Sequence, residues 1–177
     1  MGQHHIQLFT FRKGVAARLG HDLRLSVEHL SLSYADGAVR VSIAAGDLRV
    51  DGAVKGGKLD PRGLDEDDRG DILETMRTEV LHTVDHPTIV YEGTVSTHGE
   101  RVDVDGRLTL HGRTVALPLS LQRRGPRLAG EVTVVPSRWG IPPYKALGGT
   151  LRVDDRVTVT IDMALDAAAA WPPVTLG

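Results

Sequence analysis

Three short clusters in this 177-residue chain hold side chains able to do chemistry. The first is Gly20-His21-Asp22. An imidazole beside a carboxylate can grip a polar headgroup or a metal. It can equally serve a turn in which Asp22 caps backbone amides and His21 packs locally. The second is His82 and His86, spaced i, i+4 as a zinc pair on one helix face would be. Thr83, Val84 and Asp85 stand between them, so the H-E-x-x-H pattern is missing. Pro87 places His86 past the helix end, where an imidazole complements the helix dipole without any metal. The third is Arg138, Trp139 and Tyr144, within the irregular stretch from Pro136 to Gly149. A cation and two amphipathic aromatics can line an opening and hold a polar or phosphorylated head. In the other reading Trp139 plugs one end of the fold and Arg138 caps carbonyls. His98 and His111 fall at turns or strand ends and read as structural. A nucleophile elbow, a phosphate loop and a dinucleotide fingerprint are all missing from the sequence. The acids Asp65 to Asp68 lack the spacing of a calcium loop and suit a solvated helix start. No residue is assigned as catalytic or as a metal ligand.

Composition narrows the function further. A formal net charge of −2 gives no field to attract nucleic acid. Cysteine is absent, which removes disulfides, thiolate metal sites and thiol nucleophiles. The start, Met1 to Gly14, lacks the charged and apolar segments of a signal peptide, and no apolar run is long enough to insert stably in a bilayer. A cytoplasmic protein is expected.

The elements that carry these clusters are mostly strands. Between Arg101 and Gln122, Val102, Val104, Leu108 and Leu110 alternate with polar residues, and Val115, Leu117, Leu119 and Leu121 follow after His111-Gly112. This period of two means two strands with one dry face each, joined by a tight hairpin. Ile6 to Lys13 is a further strand. In the next, Asp22 to Tyr34, Leu23, Leu25 and Val27 take one parity and Leu30, Leu32 and Tyr34 the other, a slip that one β-bulge residue near Glu28-His29 would restore. Asp36-Gly37 signals a hairpin. The strand after it carries Val39, Val41 and Ile43, then slips again at Ala44 to Gly46 before Leu48 and Val50. Two slips predict strongly bent strands, as in a barrel wall. Leu64, Ile72, Leu73, Met76, Val80 and Leu81 fit one helix, with Gly70 placing its start at Asp71. Strand character returns with Ile89 and Tyr91, with Val132 and Val134, and last with Val159 and Ile161. The prediction is an all-β fold: an eight-stranded antiparallel lipocalin-like β-barrel with one α-helix inserted between strands 3 and 4. A single domain spans 1–177, with its core at 6–166 and a tail at 167–177.

At three places the chain resembles the YceI-like family of polyisoprenoid-binding, lipocalin-like proteins. Gly106 to Thr114 is similar to that family's G-x-L-T-[LI]-H-G-x-T hairpin. Val134 to Ile141 is similar to its Arg-x-x-[FW]-Gly-Ile segment, shortened by one residue. His86-Pro87-Thr-Ile-Val-Tyr-Glu92 is similar to the passage after its helix. The likeness runs from Ile6 to Asp166. It implies an extended barrel whose apolar channel takes an isoprenoid chain, and a binder rather than an enzyme. Two departures stand out. Many relatives are exported to the periplasm, and Arg18 to Leu23 replaces the commoner early pattern, marking a subgroup whose ligand differs.

The expected wall of the channel is the alternating apolar set. It comprises Leu23, Leu25 and Val27, then Val39, Val41 and Ile43, then Ile89 and Tyr91. Leu108, Leu110, Leu117 and Leu119 follow, with Val132, Val134, Trp139, Val159 and Ile161 completing it. His21, Asp22, Arg138 and Tyr144 are the expected headgroup contacts. No cofactor is expected beyond a bound isoprenoid or other lipid, and the barrel is compatible with a homodimer. Two further readings stay open. One is a metal- or haem-dependent enzyme or stress sensor using His21 and Asp22. The other is a protein-interaction scaffold whose barrel is filled by its own side chains.

Overall fold

The structure is a computed structural model that describes residues 4–14 and 20–165. The tail expected at 167–177 and residues 15–19 of the turn before His21 lie outside the described residues. The strands are β1 (His5–Thr10), β2 (Arg12–Lys13), β3 (Asp22–Val27), β4 (Ser31–Ala35), β5 (Ala38–Ala44), β6 (Leu48–Lys55) and β7 (Lys58–Asp60). After the helix α1 (Glu66–Thr75) come β8 (Thr88–His98), β9 (Arg101–Leu110), β10 (Arg113–Ala116) and β11 (Leu119–Arg124). The last are β12 (Arg127–Val134), β13 (Lys145–Ala146), β14 (Leu151–Val153) and β15 (Val157–Ala164).

Twelve strands form one curled antiparallel sheet in the order β4-β5-β8-β9-β11-β12-β15-β1-β3-β6-β7, with β10 also paired to β9. Its edges are β4 and β7, so the wall curls without closing through a ladder. A second sheet of three short strands runs β13-β14-β2. The predicted count of eight therefore gives way to more and shorter strands, and the helix lies between β7 and β8.

The breaks have identifiable causes. The two predicted slips are departures from the sheet, not bulges. At residues 28–30 the chain leaves β3 for the far edge at β4, and the 3₁₀ turn Ala45–Asp47 brings it back from β5 to β6. Backbone bonds clasp these crossings, from Glu28 N–H to the Asp47 carbonyl (3.4 Å) and from Ala45 N–H to the Pro87 carbonyl (2.8 Å). A bulge does occur, but in β6: Arg24 faces Gly52 whereas Leu25 faces Val50, leaving Asp51 as the extra residue. Gly52 takes φ +151° there, which a side chain would resist. The Asp51 carboxylate is fixed by Arg24 Nε (2.8 Å) and Ser26 Oγ (2.7 Å). The strand expected from Val115 to Leu121 is cut at Leu117-Pro118, because proline has no N–H for the ladder. Its halves keep one register on β9, with Val115 opposite Leu108 and Leu119 opposite Val104.

Both predicted hairpins form. Asp36 and Gly37 take φ 51° and 78°, His111 and Gly112 φ 51° and 71°, the positive values a two-residue primed turn needs. The helix starts at Glu66, earlier than predicted. Asp65 accepts from the Asp68 amide (2.8 Å) while Asp68 accepts from the Asp65 amide (3.3 Å), and this capping box outweighs Gly70. A π-helical turn, Met76–Val80, continues it. Ile72, Leu73 and Met76 lay the helix on a core patch of Leu25, Val50, Ala53 and Leu64.

Candidate functional site

Strand alternation sends one side chain in two from β3, β5, β8, β9, β12 and β15 into the concave side of the sheet. There they surround a cavity of about 600 Å³. Every aliphatic residue of the predicted wall faces it, from Leu23, Leu25 and Val27 round to Val159 and Ile161, and so does Tyr91. Ile6, Leu8 and Leu48 join the wall, and Ile72, Met76 and Leu81 contribute from the helical segment. The alternation of Ile6 and Leu8 was a legible signal for the first two. Behind the wall the interior is solid: Val102 and Leu128 pack against the lining residue Leu121, with Leu128 fully buried.

Trp139 departs from its predicted place. It is 0% exposed and stands behind the wall rather than in it. The 3₁₀ turn Pro136–Trp139 ends at Gly140, whose φ of +81° reverses the chain and tucks the indole inward. Trp139 Nε1 donates to the Leu108 carbonyl (2.8 Å), so its polar handle is used in holding β9. It packs in a cluster with Leu48, Leu110, Leu117 and Ile141, close to the plug that was the other reading.

Tyr91 is placed by Gly106. Gly93 and Gly106 face each other across β8 and β9. A Cβ on Gly106 would overlap the Tyr91 hydroxyl and ring. The ring thus lies over bare backbone, an aromatic cover for a strand glycine. Its hydroxyl donates to the Leu117 carbonyl (3.0 Å), next to the break at Pro118. Burial, and secondarily the charge of Asp105, push the phenol pKa upward, so Tyr91 stays a neutral donor.

Polar residues meet the cavity over a limited arc. They are Thr10, Arg12 and His21 near β2 and β3, Asp71 and Thr75 on α1, and Tyr144, Arg152, Asp154 and Asp155 around β14. This arc marks the opening. The predicted headgroup set is split by it. His21 and Tyr144 line the cavity. Asp22 does not: it accepts the Arg12 amide (2.9 Å) and lies 3.8 Å from Arg12 Nε, a turn-fixing role. Arg138 also lies off the cavity, exposed, with its guanidinium 5.5 Å from the Trp139 ring and within 3.4 Å of the Ala116 carbonyl. His21 and Asp22 therefore serve different neighbours, contrary to a joint metal or headgroup grip. Arg12 and Arg152 were missed because a lone arginine at a turn carries no periodic signal.

The spaced pair His82 and His86 meets His111, one of the two histidines read as structural. His111 lies 4.4 Å from His86 and 5.4 Å from His82, ring centre to ring centre. Burial first, then the neighbouring His86 and His82, lower the His111 pKa. Among the described residues no three His, Asp or Glu side chains are placed to hold a metal ion. Among the same residues no helix is long and apolar enough to cross a membrane.

The chain matches the YceI-like domain family over residues 14–165. Its fold is similar to a solved structure of Burkholderia cenocepacia BcnA, with a TM-score of 0.57 and 10% identity, covering 90% of this chain and 94% of that one. A polyisoprenoid binding domain from Saccharophagus degradans, implicated in plant cell wall breakdown, aligns with a TM-score of 0.57 and 15% identity, covering 90% and 91%. The YCEI protein of Campylobacter jejuni gives 0.54 and 10%, covering 80% and 84%. No curated protein sequence matches significantly. The match covers β3 to β15 with the helix, and by it the chain belongs to the YceI-like domain family.

Proposed function

We propose that this protein is a non-enzymatic binder that holds one isoprenoid or similar apolar chain in its cavity, for carriage or sequestration. The observation that carries this reading is the wall itself. Apolar side chains from twelve strands and the helical segment surround about 600 Å³, and polar residues gather at the opening. Such a wall attracts any flexible hydrocarbon at about 0.8 kcal/mol per buried CH₂ and has no groups aligned for bond chemistry. The Saccharophagus domain of similar fold, described as polyisoprenoid binding, supports the same ligand class. His21, Tyr144, Arg12 and Arg152 stand where a polar head would emerge. The volume also favours a ligand over a scaffold whose barrel is filled by its own side chains.

The test is extraction of the purified protein with organic solvent, followed by mass spectrometry. A stoichiometric apolar chain is expected from the wild type and little from Leu108→Trp, which intrudes on the cavity opposite Tyr91. A protein free of lipid that also fails to take up prenyl alcohols after delipidation would overturn the reading.

A further inference from the structure

The small sheet β13-β14-β2 sits at the cavity opening, and its register sets out a charge pattern. Lys145 pairs with Arg152, and Arg152 pairs with Lys13. Residues opposite one another in adjacent strands share a face. Three cations therefore stand in a row across three strands spaced about 4.8 Å apart. Like charges so placed repel, and a sheet of this size gains little to offset that. Only Lys13 has a carboxylate beside it: Asp154, at 3.6 Å, is shared with Arg156, also at 3.6 Å. Asp155 is engaged by Ser137 and Asp22 by Arg12. Among the described residues neither Lys145 nor Arg152 has an ion pair, and Arg152 Nε donates to the Gly149 carbonyl (2.9 Å). All three cations are exposed.

An apolar tip lies between two of these cations. The turn from β13 to β14 is Leu147-Gly148-Gly149, and Leu147 is 57% exposed at φ +52°. A leucine rarely adopts this conformation, yet here it turns the side chain outward. It is pinned by the Thr150 hydroxyl, which donates to the Leu147 carbonyl (2.7 Å). Phe11, 40% exposed, lies on the neighbouring segment, where its carbonyl accepts the Asp154 amide (2.7 Å). Arg12, Tyr144 and Arg152 of this region also line the cavity.

We propose that this face docks on an anionic lipid bilayer, with Leu147 and Phe11 entering the interface and Lys13, Arg152 and Lys145 facing lipid phosphates. Cations beside exposed apolar side chains match the two layers of such a surface, phosphate outside and acyl chain within. Continuity with the cavity gives the contact a purpose: an apolar chain passes between bilayer and cavity without crossing water. That passage rests on the chain-binding function proposed above, whereas the docking does not.

Co-sedimentation with vesicles tests it. Binding is expected to vesicles of phosphatidylcholine with added phosphatidylglycerol and not to phosphatidylcholine alone, and it should weaken as salt rises. Each surface cation contributes roughly fivefold in partitioning, so Lys145→Ala with Arg152→Ala should lower it about 25-fold. Leu147→Asn keeps a residue that tolerates positive φ and should also weaken binding, with an unchanged melting curve confirming that the variant folds. Leu108→Trp should keep vesicle binding while losing the apolar chain, which separates failure of docking from failure of the cavity reading. Equal binding to neutral and anionic vesicles would overturn the proposal. So would no binding at low salt, or release by inorganic phosphate at matched ionic strength.

Discussion

Affinity for straight-chain alcohols should climb with chain length and then stop. The cavity holds about 600 Å³. A methylene needs about the ~30 Å³ that a water molecule occupies in the liquid, so the space takes roughly 20 carbons. Each added CH₂ contributes about 0.8 kcal/mol, which is roughly fourfold in affinity. Filling the space yields about 16 kcal/mol gross, against about 4–15 kcal/mol for association and ordering, so net binding sets in somewhere between about 5 and 19 carbons. The assay is competitive displacement of a fluorescent polyene fatty acid from delipidated protein by alcohols of increasing length, with prenyl alcohols run in parallel. The slope should approach fourfold per carbon and flatten near 20 carbons. Leu108→Trp, which takes space inside the wall, should move the plateau to shorter chains. A slope below twofold per carbon, or affinity still rising well beyond 30 carbons, would show that the wall is not what grips the chain.

Two more outcomes follow from residues in the same wall and beneath it. Gly106→Ala places a Cβ into the Tyr91 ring and disturbs the bond from its hydroxyl to the Leu117 carbonyl, so it should cost about 2–4 kcal/mol in urea unfolding. In a Tyr91→Ala background the same change should cost much less, and equal costs in both would show that the glycine is not there for the ring. The second concerns acid. The folded state holds the His111 pKa below its ordinary value, through burial and then His86, His82 and Arg113. The unfolded chain therefore binds the extra proton first, and stability falls as pH drops below about 6.5 toward the folded pKa. His111→Asn tolerates the positive φ at that turn and should flatten the dependence of the urea midpoint between about pH 7 and 5. Superimposable profiles for variant and wild type would remove His111 from the cause.

The aliphatic wall was readable because burial on one face of a strand forces a period of two, and Leu108, Val132 and Val159 obey it. Strand count was harder. A parity slip such as Val27 to Leu30 looks the same whether the chain bulges or leaves the sheet, and here it leaves. The true bulge at Asp51 was hidden because its neighbours, Val50 and Gly52, gave no slip to see. The helix start was misread because the penalty of Gly70 was weighed without the capping box of Asp65 and Asp68. Of the polar candidates, His21 and Tyr144 reach the cavity, while Asp22 and Arg138 are drawn to nearer partners. Trp139 illustrates the same limit, since an indole at an expected opening looks identical in sequence whether it faces the cavity or the core. Arg12 and Arg152 owe their places to the folding of short loops, which leave no repeat in the sequence.

A crystal structure of the protein with a prenyl alcohol of about 20 carbons, the length the cavity volume sets, decides whether the cavity holds the chain. One continuous chain is expected among Leu23, Val41, Ile89, Leu108 and Val159, with its hydroxyl at the arc of His21, Tyr144 and Arg152. A chain bound on the outer face of the sheet, or a cavity closed up by its own side chains, would contradict it.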